Sequence, residues 1–330
     1  MTEREKIKFE RLADTFRRNF RVTRLFAGYL EECPKAITRE MIDTLTEDGD
    51  LSREEAIGAL LSEIFGLSFD NAEDRRIIMD YITPSVRLLD TKKYTDNPYY
   101  RNINLENQSL GNWEIRNEKY EPYQAVICHD MIIKEDFTET PPLGFFTDEF
   151  HFPAILENGN EWMTLTPVDL DTCEEAIEAA HGKVVTFGLG LGYYAYMAAE
   201  KEEVESVTVV ELSEDVIRLF KTHILPQMKN GHKITIVNSD AFEYAERIMP
   251  SERFDIAFVD TWRDASDGAP MYKRMKALEH LSPDTKFLYW VEGFLRSRVR
   301  AEKFCEYYDD YEAGQLGLSY GEIEESISKI

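Results

Sequence analysis

The residue types that could do chemistry fall in order between positions 184 and 292. The stretch "VVTFGLGLGYYA" (184–195) places Gly188, Gly190 and Gly192 on a two-residue beat, after an apolar run and before a helical pattern. Glycine permits positive φ and lets ligand atoms approach the backbone closely. A helix opening directly afterwards would aim free N–H groups and its positive dipole end at an anionic group. Three acids follow, Glu211, Asp240 and Asp260, each closing or just following an apolar stretch. A carboxylate at 211 can accept two hydrogen bonds from a ribose diol. Its distance from the last glycine, 211 − 192 = 19 residues, is what one helix plus one strand requires. Asp240 would then lie beside a base attached to that ribose. Asp260 is the candidate catalytic residue, a base or an orienting acceptor for a donor amine. Thr261, Trp262 and Glu292 are the candidate substrate contacts, and Trp262 with Trp290 could shape an aromatic pocket for a cation.

These residues need elements that bring them to one place. From 183 onward the apolar strands "KVVTF", "SVTVVE", "KITIVN", "FDIAFVD" and "KFLYWVE" alternate with helical runs around 192–202, 213–224, 241–249 and 269–280. Such alternation implies a parallel sheet with helices on both faces. Right-handed crossovers then set every strand's C-terminal end along one edge, where ligands bind near the switch in strand order. The first strand would end in the glycines, the second in Glu211, the third beside Asp240 and the fourth in Asp260. The expected class is α/β: a Rossmann-like, doubly wound, mostly parallel sheet preceded by a helical region and a small antiparallel β unit. The expected divisions are a helical region over 1–104, the β unit over 105–165 and the nucleotide-binding type of domain over 166–330. Residues 3–30 read as helix, with Pro34 interrupting. "SREEAIGALLSEIFGL" opens with Ser52 and Glu55 at capping-box spacing, and "NAEDRRIIMDYI" gives another helix before Pro84. "NWEIRNE" and "YQAVICHD" carry the β-type texture.

Composition narrows the function classes. The 330 residues are 43% apolar with a net charge of −25, so a phosphate backbone is repelled and a nucleic-acid partner is not expected. A small, cationic molecule suits that sign. Residues 1–30 depart from it, with eight Lys or Arg against four acids. There Arg17, Arg18, Arg21 and Arg24 read as a solvated helix face packing on the acidic body, with an anion contact as the alternative. No apolar run has the length of a membrane span and the charged N-terminus has no signal-peptide core, so a cytoplasmic protein is expected. The cysteines Cys33, Cys128, Cys173 and Cys305 are scattered, without metal-type spacing, and no metal is expected. "TLTEDGDLSREE" imitates a calcium loop but has Thr44 and Thr46 where carboxylates are needed, so it reads as a helix–turn–helix link. "DNPYY" (96–100) reads as a turn.

A nicotinamide dinucleotide would call for glycine at 193, where Tyr193 stands. The motifs "TFGLGLG", "VTVVELS", "NSDAFEY" and "FDIAFVD" instead resemble the class I S-adenosylmethionine-dependent methyltransferase family, including its spermidine synthase-like branch, over about 183–293. The resemblance implies S-adenosylmethionine as cofactor and a methyltransferase-type sheet. Gly188, Gly190 and Gly192 would cradle the methionine part, Glu211 with Leu212 would hold the ribose side, Asp240 with Ala241 would contact the adenine, and Asp260 would face the sulfonium or the substrate. It implies a methyltransferase acting on a small molecule. A spermidine synthase-like aminopropyltransferase and an inactive binding protein that keeps the fold are the alternatives, and a homo-oligomer stays open. Three departures stand out. Thr186 replaces the family's acid two residues before the first glycine. "TWRDASDGAP" follows Asp260 in place of the amino-methylation box. The family's closing pair of strands has no counterpart in 294–330, which reads as helices.

Overall fold

The computed structural model describes residues 1–330, with Ala265 given only as a position within its helix. The chain forms two compact units, neither of them a continuous segment. One takes residues 1–89, 121–148 and 293–330; the other takes 90–120 and 149–292.

The second unit is built on five parallel strands, β1 (Gly182–Phe187), β2 (Val204–Glu211), β3 (Ile234–Asn238), β4 (Ile256–Val259) and β5 (Lys286–Tyr289). Their order is β3-β2-β1-β4-β5. Every neighbouring pair is parallel, and apart from a register shift between Gly182 and Lys183 the pairing runs evenly to the C-terminal ends, with Phe187 opposite both Val210 and Val259, and Glu211 opposite Asn238. Between the strands run α1 (Tyr193–Glu200), α2 (Glu214–Leu219), α3 (Ala241–Arg247) and α4 (Ala265–Leu278). The strand order steps one way from β1 to β3 and then returns past β1 to β4. Right-handed crossovers therefore place helices on both faces and the switch point between β1 and β4. The continuous apolar texture of the strands has the same origin, since all four residues of β4 and the last four of β1 are buried. The expected α/β class is met. One helix differs in extent: α4 starts before the expected 269 because Asp264 and Asp267 form a capping box upstream, and Pro270 lies inside it.

The same unit carries a four-stranded antiparallel sheet. Its order is Gln108–Leu110, Trp113–Tyr120, Phe150–Glu157, Asn160–Thr164. The segment "DNPYY" is a short helix, Pro98–Asn102, and not a simple turn. Asn97 caps it through the Tyr99 N–H, and Pro98 takes the first helical position, where a missing N–H costs nothing.

In the first unit the helix Glu3–Glu32 is closed at its start by a Thr2–Glu5 capping box. The Ser52–Glu55 box likewise opens Arg53–Ile64, and the calcium-like segment is the link between that helix and Arg39–Thr46. The arginine face of the first helix pairs with acids of its own unit: Arg21 with Asp74 at 2.9 Å, Arg18 with Glu73 at 3.5 Å, and Arg17 with Asp14. Helical structure runs through Pro84 to Ser85. Val86–Leu89 is then a strand, parallel to Leu143–Phe146, so the region is not helical throughout. The last segment is helical as expected, over Glu292–Glu312 and Tyr320–Ser328. Arg300 on the first of these forms a buried ion pair with Glu139, whose other oxygen accepts from Ser297 Oγ at 2.6 Å. No helix among the described residues is long and apolar enough to cross a membrane.

Candidate functional site

All the candidate groups of the second unit arrive by way of strand ends. After Phe187 the chain turns at Gly188 with φ +99°, and a Cβ placed there would overlap the carbonyl oxygen of Asp260. Glycine is what allows the ends of β1 and β4 to meet. The Asp260 N–H donates to Phe187 O at 2.8 Å, and the Gly188 N–H donates to Val210 O at 2.9 Å. β3 closes on the same edge, its Ser239 N–H donating to Glu211 O at 3.1 Å. Tyr99, from the short helix Pro98–Asn102, holds the far side of the glycine loop by donating its hydroxyl to Leu191 O at 2.6 Å. The glycine loop and the three acids therefore stand on one edge of one sheet.

The three carboxylates there differ in what they already do. Glu211 accepts from the Leu189 N–H at 3.0 Å and from the Ser213 N–H at 2.7 Å, so it ties the glycine loop to the end of β2. Burial raises its carboxyl above the ordinary value, against the pull of those N–H groups. Asp240 is the N-cap of α3, accepting from the Phe242 and Glu243 N–H groups at 3.0 and 2.9 Å, and Ala241 is the first residue of that helix. Asp260 differs: its carboxylate has no hydrogen bond among the described residues. Burial pushes its carboxyl well up, with the charges of Asp169 and Glu211 adding to the effect.

Asp260 lines a narrow cleft beside the glycine loop. Gly188, Leu189, the first turn of α1, Asp169, Cys173 and Trp290 line it too, as does Phe258, whose ring stacks on Tyr194 with centroids 4.3 Å apart. Carboxyl groups beside an aromatic ring suit a cation. No lysine or arginine lines it among the described residues.

Asp169 is a second acid that sequence reasoning missed. It is almost fully buried, and its Oδ2 accepts from Thr164 Oγ1, the Thr166 N–H and Thr166 Oγ1 at 3.0, 2.9 and 2.7 Å. Burial nonetheless raises its carboxyl to about 6. The spacing Thr166-x-x-Asp169 signals a helix start, since it is a capping box; nothing in it signals a cavity. Cys173, which also lines the cleft, is held neutral by burial and then by the neighbouring charges of Asp260 and Asp169. A neutral buried thiol is a poor nucleophile.

The remaining candidates sit apart from the cleft. Trp262 is buried and stacks on Tyr289, ring centroids 6.3 Å apart, with its Nε1 lacking a partner among the described residues. Thr261 is half-buried beside it. Glu292 accepts from Tyr272 OH at 2.8 Å and pairs with Lys276 at 3.2 Å, so its charge is already answered. Of the two tryptophans considered for an aromatic wall, Trp290 lines the cleft. Leu212 is 69% exposed directly after Glu211, a large apolar side chain left in water at the rim. Thr186, buried, directs its hydroxyl to Gly188 O at 3.5 Å.

No family model matches the chain, and no curated protein matches it. Among solved structures it is similar to spermidine synthase from Thermotoga maritima (17% identity, TM-score 0.34, 45% of this chain and 55% of that one). It is similar at nearly the same level to a spermidine synthase in complex with the transition-state analogue AdoDATO (17%, TM-score 0.33, 45% and 54%). A third is a provisionally assigned O-methyltransferase from Klebsiella pneumoniae (16%, TM-score 0.29, 40% and 64%). The matched region thus spans little more than half the length of the two spermidine synthases.

Proposed function

We propose that the second unit is an S-adenosylmethionine-dependent transferase that moves a methyl group to a small, cationic acceptor. The observation that carries this reading is Asp260, a carboxylate with no protein partner, in a cleft beside the glycine loop at the switch point of the sheet. The residues present suit such a cofactor. Gly188 and Leu189 of the glycine loop line the cleft beside Asp260. Glu211 would use its remaining lone pairs to hold a ribose diol, Asp240 and Ala241 would contact the base, and the exposed Leu212 would offer it an apolar surface. The bound sulfonium supplies an already activated carbon, so the transfer is an in-line displacement that needs chiefly proximity and orientation from the protein.

The chain's own groups would orient the acceptor and handle its proton. Asp260 would hold a donor amine by accepting its N–H and take the proton as the new bond forms. Asp169 and Asp260, with Trp290 lining the same cleft, would favour a positively charged acceptor over an anionic one. The two carboxylates also favour a second reading, aminopropyl transfer to a polyamine. It is separated from the first by tighter binding of decarboxylated S-adenosylmethionine than of S-adenosylmethionine itself.

Calorimetry tests the proposal. Saturable binding of S-adenosylmethionine and S-adenosylhomocysteine is expected, lost in Gly190→Arg and weakened in Glu211→Ala. Absence of any heat with either ligand on the wild-type protein refutes it. Binding with no product across a panel of amines would instead support a protein that keeps the fold without turnover.

A further inference from the structure

The glycine loop is not an open cradle, because a side chain of the same unit lies in it. Met163, on the edge strand Asn160–Thr164 of the antiparallel sheet, lines the cleft. A Cβ built on Gly190 would fall on its Sδ, so the thioether rests directly on the loop backbone. The Leu191 N–H donates to that same sulfur at 3.2 Å. A thioether is a weak acceptor, and an N–H at the turn into α1 is a group that an anion would take over with a charge-assisted bond.

We infer that Met163 is a specificity-determining residue. Its thioether occupies the place that the amino-acid arm of a bound ligand requires, and it must be displaced by ligands that carry that arm's carboxylate. This rests on the adenosine-ligand reading proposed above. A nucleoside thioether without the arm would bind with Met163 in place. One with the arm would have to give up part of its affinity to move a side chain that loses its sulfur contact and its hydrogen bond.

Two probes separate the cases: S-adenosylhomocysteine, which has the amino-acid arm, and 5′-methylthioadenosine, which lacks it. In calorimetry Met163→Ala should bind the first about tenfold more tightly than wild type and the second within about twofold, the gain matching the loss of one weak hydrogen bond and one sulfur contact. An independent readout on the unaltered protein uses methionine labelled with carbon-13 in its methyl group, the Met163 signal being identified by its disappearance in Met163→Leu. That signal should move on saturation with S-adenosylhomocysteine and stay within its line width with 5′-methylthioadenosine. Equal gains for both ligands in the variant, a loss for S-adenosylhomocysteine, or an unmoved methyl at saturation overturns the inference while leaving the transferase reading intact. If neither ligand binds wild type or variant, the transferase reading itself falls and takes this inference with it.

Discussion

Asp169 makes the stability of the second unit depend on pH in a way a single substitution should remove. Its carboxyl lies at about 6 in the folded chain against an ordinary 3.8, burial being the main cause. Below pH 3.8 the group is protonated in both folded and unfolded chains, and its contribution is fully present. As pH rises through 6, the unfolded chain has released the proton while the folded one resists, and that contribution is lost. The interval of about 2 pH units at about 1.4 kcal/mol each gives about 3 kcal/mol, with no discount for solvent because the side chain is almost fully buried. Asp169→Asn keeps an acceptor for the Thr164 and Thr166 donors but cannot ionise. Any change in the strength of those bonds displaces the whole stability curve without altering its slope. Removing the charge also eases ionisation of Asp260, which acts in the same direction. All four tryptophans (Trp113, Trp162, Trp262 and Trp290) lie in the second unit, so their fluorescence follows its unfolding in urea. Between pH 4 and 8 the wild-type protein should lose about 3 kcal/mol relative to the variant. Parallel curves over that range would refute the burial argument for this carboxyl.

Gly188→Ala should cost the second unit about 2 kcal/mol or more in the same urea assay, because φ +99° and the Asp260 carbonyl leave no place for a methyl; a variant as stable as wild type would contradict this. Glu139→Gln should leave Arg300 buried without its counter-charge and cost about 3 kcal/mol, read as a lowered melting temperature by circular dichroism; an unchanged melt would mean the pair contributes nothing. Asp260→Asn should keep S-adenosylhomocysteine binding while abolishing transfer to any amine, measured by product formation; retained turnover would remove Asp260 from the proton step.

Much of the sheet edge was legible in the sequence because a parallel strand buried on both faces is a continuous apolar run, and the residues just after such a run must lie at the strand's C-terminal end. Gly188, Glu211, Asp240 and Asp260 could be placed together on that basis. Residues that reach the cleft from outside the alternating pattern could not. Asp169 belongs to a short helix before β1, where its spacing from Thr166 speaks only of a cap. Met163 comes from an edge strand of the other sheet. Nor does spacing reveal which acids are already engaged, and hydrogen bonding is what separates Asp260 from Glu211 and Asp240. Composition runs along the chain, whereas compactness is a matter of space. The helical unit is left at Leu89, re-entered at Glu121 and joined again at Gly293, and no change of texture announces those returns.

The divided first unit has a consequence for how the polypeptide is made. Phe16 stacks on Phe304 with ring centroids 4.1 Å apart, and Phe9, Leu12 and Ala13 share a cluster with Tyr307, Ile323 and Ile327. The face that opens the chain is therefore covered by residues translated almost 300 positions later. While the ribosome is still working, the second unit has every segment it needs by residue 292, but the leading helix keeps an uncovered apolar stripe until the final stretch emerges. A nascent chain stalled short of that point would present the stripe to chaperones and to other copies of itself.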